Sequence, residues 1–264
     1  MKDSLNYAKT NKSVLALIGA FSFAFFVGIA LHETGHAIMI KYFGIDEVKI
    51  VLHPFKASET IWEVNNDYIG YVDVAGPIFN IFVGNIIMTF LWRRRNQIIS
   101  PFLLLGPTAL IQEGFNSIMQ LLLHIPGTDS IRIVASGIPY TIVLSVAILF
   151  SVLGLVMFCL QLPLYGISLK DSFLGKLVIL LPGLTVYMLI VLLYEFVFSP
   201  SELMRGLILT VFSTLVATLL ATIYKPINSS LEFLAYTDVA LLNWHDVWIV
   251  LGLGSVVIIL GLLF

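Results

Sequence analysis

The chain is short of charge and almost without cysteine. Only 11% of its 264 residues are Asp, Glu, Lys or Arg, less than half of what soluble domains carry. The formal net charge of −2 leaves no basic surface for nucleic acid and no acidic tail. The single cysteine, Cys159, excludes an internal disulfide; set in an apolar run, it is expected to be a small buried packing residue. Low-complexity linkers, internal repeats and a recognisable soluble sensing domain are missing too. What is abundant is apolar: 59% of residues are hydrophobic, 19 are Phe, and the mean hydropathy is +0.99. A soluble core cannot hide that much, so the composition predicts an all-α polytopic membrane protein.

A spanning helix needs about 20 mainly apolar residues. Seven stretches qualify, near 14–40, 74–92, 101–125, 139–164, 175–198, 203–223 and 246–264. Lys2, Lys9 and Lys12 ahead of the first give the start the look of a signal peptide, but the apolar run outlasts an h-region and no small-x-small site closes it. It is expected to remain as the first span. The one sizeable polar insertion, 44–73, holds "EVKIVLHPF" and "WEVNNDYIGYVDV", in which Val48, Ile50 and Leu52 alternate with Lys49, Val51 and His53 and "NND" offers a turn. That pattern predicts a small membrane-associated β-hairpin with an open edge. With seven spans, nine Lys and Arg residues fall on the side of the N-terminus against five on the other, which predicts a cytoplasmic N-terminus.

Against this background "ALHETGHAIM" (30–39) stands out. Residues four apart on a helix differ by only about 40° in direction, so His32 and His36 present their imidazoles to one point, with Glu33 on the adjoining arc. This is the H-E-x-x-H arrangement: two neutral imidazoles for a zinc ion, and a glutamate to take a proton from water as it attacks a carbonyl. The spacing alone also occurs in ordinary surface pairs. Inside a lipid-spanning helix, however, each ionisable group costs on the order of 2.5–3.5 kcal/mol, so three together call for an internal partner.

Glu113, His124, Asp129 and Glu195 are the candidates for a third ligand. The first span carries His36 toward its far end, and the third span runs the same way, which brings "HIPGTDS" (124–130) to a similar depth. Glu113 falls nearer mid-span, and Glu195 lacks a supporting local pattern. Asp129 is therefore preferred, with Pro126-Gly127 ahead of it to break the helix and let a short carboxylate turn inward. His124 is expected to be an auxiliary polar contact or an interfacial histidine. "AGPIFN" (75–80) is read as the entrance of the second span, its Pro77 at a position where a missing N–H costs nothing. Asn80, just inside, is a candidate for binding substrate backbone or a developing oxyanion; interhelical packing is the plainer alternative.

"HETGH" in an apolar helix, "GPIFN" opening the next and "PGTD" after the third together resemble the site-2 protease (M50) family of intramembrane zinc metalloproteases. The resemblance covers about residues 14–135. It implies His32, His36 and Asp129 as ligands of one zinc ion, Glu33 as catalytic base, and a hairpin near the site that receives an extended substrate segment. It adds Asn116 as a site residue by analogy with an asparagine upstream of the family's Asp-Gly; here Asp129 is followed by Ser130 and lies thirteen residues from Asn116. The expected division is a catalytic core of three spans plus insertion over 1–135, and further spans over 136–264 serving as gate, scaffold or surface for a regulatory membrane partner. The expected substrate is a transmembrane protein within the lipid bilayer, its unwound segment added as a strand to the hairpin. A proline placed on the hairpin's edge is expected to impair cleavage; unchanged cleavage by that variant would count against strand addition. Two rivals stand beside this reading. One is a membrane zinc protease of the prenyl-protein processing type, which would take a later glutamate as third ligand. The other is a non-proteolytic zinc-binding chaperone or transport module.

Overall fold

The structure, a computed structural model, describes residues 2–54, 58–62, 69–94, 96–198, 203–231 and 242–263. Helix α1 (Lys2–Tyr42) is followed by strands β1 (Val48–Val51) and β2 (Glu59–Trp62), then by α2 (Ile69–Leu91), α3 (Ser100–Leu122) and the short α4 (Asp129–Ala135). Among the described residues four more α-helices follow: α5 (Tyr140–Cys159), α6 (Phe173–Phe198), α7 (Leu203–Ser230) and α8 (Trp244–Leu263). The protein is an all-α polytopic membrane protein with one small two-stranded sheet.

Among the described residues six helices are long and apolar enough to cross a bilayer: α1, α2 and α5–α8. The third stretch expected to span, α3, is a helix of 23 residues but is not one of them. The reason is where it sits. Every residue from Leu103 to Gly114 is buried, because α1, α2 and α5 pack around it. A helix enclosed by protein need not be oily all round, and α3 carries Thr108, Gln112 and Glu113 inside the bundle. The outer helices show the complementary pattern. Ile78, Phe82, Ile86 and Phe90 form an exposed stripe at four-residue spacing along α2, a face suited to acyl chains.

Close packing at the centre depends on small residues. A Cβ on Gly19 of α1 would stand 2.6 Å from the Val250 carbonyl oxygen of α8, and one on Gly254 would stand 2.5 Å from the Gly19 oxygen. Where lipid tails are as apolar as leucine, such backbone approach supplies the helix–helix attraction. Cys159 is fully buried and free, as expected of a packing residue. Glu195 of α6, also fully buried, is held by Arg205 of α7 through 2.8 and 2.6 Å contacts.

Two local readings are corrected. The hairpin is antiparallel, with Val48 paired to Trp62 and Ile50 to Thr60, so its second strand comes earlier than the pattern suggested and its turn falls between Val51 and Glu59. The "NND" segment, 65–67, lies outside the described residues. Secondly, Gly76-Pro77 does not open α2; the helix is already formed from Ile69, and Pro77 lies inside it. There the ring forfeits one intrahelical hydrogen bond, next to a glycine that the adjoining site requires.

Candidate metal centre

Helical spacing brings the first two groups together. His32 Nε2 and His36 Nε2 lie 2.9 Å apart on one face of α1. The third comes from α4. Gly127 in the left-handed region (φ 77°) turns the chain back after α3, and the Ser130 N–H donates to Gln120 Oε1, fastening the start of α4 to α3. Asp129, the first residue of that helix, then places Oδ2 3.0 Å from His32 Nε2 and 3.5 Å from His36 Nε2. One ligand atom from each of the three residues falls within 4.8 Å of the others.

The outer contacts decide what those atoms can do. His36 Nδ1 sits 2.7 Å from the Val72 carbonyl oxygen, which can only accept, so that nitrogen carries the proton. His32 Nδ1 donates to Glu113 Oε1 at 3.0 Å, and the same oxygen accepts from Asn80 Nδ2 at 2.6 Å. Each imidazole thereby turns its remaining lone pair inward. Asp129 is held in the same manner: Arg132 binds its Oδ1 at 2.9 Å and reaches Asp73 Oδ1 on α2 at 2.8 Å. Two imidazole lone pairs and a carboxylate oxygen thus face one another. A proton can bridge only one pair of them at a time, whereas a divalent cation serves all three, and a His-His-carboxylate set with each ligand anchored from behind suits zinc.

Space for the imidazoles comes from two glycines. A Cβ on Gly76 would stand 2.5 Å from both Cε1 and Nε2 of His36 and 3.0 Å from His32 Nε2. One on Gly35 would stand 2.5 Å from the Ala75 carbonyl oxygen. Helices α1 and α2 therefore touch through backbone at the level of the site.

Glu33 is 7% exposed and accepts, through Oε2, a hydrogen bond from Thr60 Oγ1 at 2.9 Å. The remaining residues singled out in the sequence take varied places. Glu113 stands behind His32, on the nitrogen that faces away from the cluster. Asn80 is fully buried and donates to Glu113 across the contact between α2 and α3. Asn116 is exposed on α3, three residues beyond Glu113. His124 is exposed in the turn after α3, with φ 50°. Glu195 pairs with Arg205. Sequence reasoning missed Thr60, Arg132, Asp73 and the Val72 carbonyl. Asp73 carried a signal, since a carboxylate in an apolar run demands a partner; Thr60 carried none.

An apolar cleft of about 1060 Å³ opens beside the cluster, between α1, α2 and α4. Gly35 and Arg132 are part of its wall, along with Met39, Tyr71, Phe79 and Phe82. In comparisons with known proteins, no protein-family model, no curated protein and no solved structure matches the chain.

Proposed function

We propose that the protein is a zinc metalloendopeptidase that hydrolyses peptide bonds in or near the transmembrane segments of membrane-anchored proteins. The observation that carries the reading is the convergence of His32, His36 and Asp129, each oriented by an outer partner, with the buried carboxylate of Glu33 next to the first histidine. A zinc ion in such a set supplies Lewis acidity, lowering the pKa of water toward neutrality and polarising a carbonyl. The chain's own residues do the rest. Glu33 accepts the proton of the attacking water and returns it to the leaving amine. Helices α1–α3 keep bulk water from the ligands, and Glu113 and Arg132 keep the ligand atoms aimed.

A peptide bond inside a spanning helix is shielded by its own hydrogen bonds, so the substrate must unwind first. The edge of the β1–β2 hairpin can replace the lost bonds, and the apolar cleft between α1, α2 and α4 has room for substrate side chains. With α3 crossing inside the bundle as the seventh span, nine Lys and Arg residues against five place the N-terminus on the cytoplasmic side.

The test uses purified protein in detergent, a panel of single-span substrates, and Glu33→Gln beside the wild type, with and without chelator. Glu33→Gln is expected to keep its zinc and lose cleavage by about 10²–10⁴-fold, the usual weight of a general base. Chelator is expected to stop the wild type. A Glu33→Gln protein that cleaved like the wild type would end the protease reading and leave a zinc-binding chaperone or transport module.

A further inference from the structure

The proposed base is tied to an element outside its own helix. Thr60 Oγ1 on β2 lies 2.9 Å from Glu33 Oε2 and 3.0 Å from the Glu33 backbone oxygen. A threonine hydroxyl has one proton to donate, and the shorter contact together with the charge of the carboxylate directs it to Oε2. Among the described residues no second side chain donates to this carboxylate. We propose that Thr60 is a positioning residue for Glu33, and that the hairpin sets the geometry of proton transfer as well as offering an edge to substrate. The inference rests on the metalloprotease reading.

Three features of the fold make the contact a stable one. The β1–β2 register pairs Thr60 with Ile50, which fixes which way the side chain of residue 60 points. The connection between the strands is anchored to α6, where the Tyr187 hydroxyl donates to the Pro54 carbonyl and Tyr194 meets His53, ring centroids 5.3 Å apart. The hairpin is therefore held on α1 at one end and on α6 at the other. Finally, Glu33 is on a helix whose direction is set by its two neighbouring ligands, so the remaining freedom is in its side-chain torsions. Holding Oε2 removes that freedom and leaves Oε1 as the oxygen for proton transfer. A misplacement of about 1 Å in a reacting group costs on the order of 10²-fold in rate, so this restraint belongs to the chemical step rather than to substrate affinity.

The experiment compares Thr60→Val, which keeps the shape and loses the donor, with Thr60→Ser, which keeps the donor. Both are purified in detergent, checked for zinc content, and assayed on single-span substrates. Thr60→Val is expected to lower kcat by about 10–100-fold with KM within about twofold and zinc retained, and Thr60→Ser to recover kcat to within about threefold of wild type. Wild-type or increased kcat in Thr60→Val, or a change confined to KM, overturns the proposal; so does a Thr60→Ser protein as impaired as Thr60→Val. A readout independent of turnover is the infrared carboxylate stretch of Glu33, identified by its disappearance in Glu33→Gln. That band is expected to shift in Thr60→Val and stay in place in Thr60→Ser, and an unshifted band overturns the proposal. Cleavage that survives Glu33→Gln sinks the protease reading, and the positioning role with it, even where the band shift shows the contact itself.

Discussion

Replacing Asp129 with alanine is expected to empty the site of zinc and abolish cleavage. The carboxylate is one of three groups converging within 4.8 Å, and α4 exists in its present place to deliver it. Structural zinc sites bind with roughly 10–16 kcal/mol, so an even share for one of three ligands is about 3–5 kcal/mol, or roughly 10²–10⁴ in affinity. The other carboxylates give the contrast. Glu113→Gln keeps an acceptor for His32 Nδ1 and is expected to hold a full equivalent of zinc, with affinity reduced by at most about 10–100-fold, the range for an outer-shell partner. Glu195→Ala is expected to leave zinc content untouched, because its partner is Arg205 on α7. Metal content per mole of each purified variant, with a competing chelator for affinity, checks the series. Full zinc in Asp129→Ala combined with none in Glu113→Ala would move the third ligand to Glu113 and favour the prenyl-protein processing type.

Gly76→Ala is expected to have a comparable effect from a residue with no chemistry of its own. The added methyl would stand 2.5 Å from two atoms of the His36 ring, a separation real Cβ atoms do not tolerate. Neither side can give way easily. The ring is tethered to the Val72 carbonyl at 2.7 Å, and α2 cannot retreat as one piece while Gly35 and Ala75 hold the helices in backbone contact. Overpacking of this kind costs about 1–3 kcal/mol in a close-packed interior, and here the strain is released by turning an imidazole away from its ligand position. Zinc content below about a tenth of an equivalent is expected, with the protein still eluting as a folded species. Gly252→Ala on α8, where a Cβ meets nothing within 4 Å, serves as the neutral control. A Gly76→Ala protein with a full complement of zinc would show that the imidazoles do not occupy the positions described.

The parts of this protein that were legible in its sequence are those governed by local periodicity and by composition. Hydropathy gave six of the seven spans because a lipid-facing helix must be apolar wherever it touches lipid. The remaining one, α3, is less apolar than the others because α1, α2 and α5 enclose it, a property of the assembly that Gln112 and Glu113 record only indirectly. The shared face of His32 and His36 follows from the turn of a helix, and the depth of Asp129 from the alternating direction of successive spans. Gly76-Pro77 was misplaced at a helix entrance because a proline's usual preference said nothing about the imidazoles packed on its neighbour.

What only the tertiary structure decided is which groups stand behind the ligands and what touches the base. His32 and Glu113 are 81 positions apart, Thr60 and Glu33 are 27, and Arg132 reaches Asp73 across two helices. No periodicity links such pairs, since each depends on how α1, α2, α3 and the hairpin are stacked. The sequence by itself determined a membrane bundle and the two-histidine motif, because both are written within one or two helical turns. The third ligand's aim, the orientation of both imidazoles and the hold on Glu33 were left to packing, because a hydrogen bond is directional over about 3 Å and no pattern along the chain specifies that distance between separate elements.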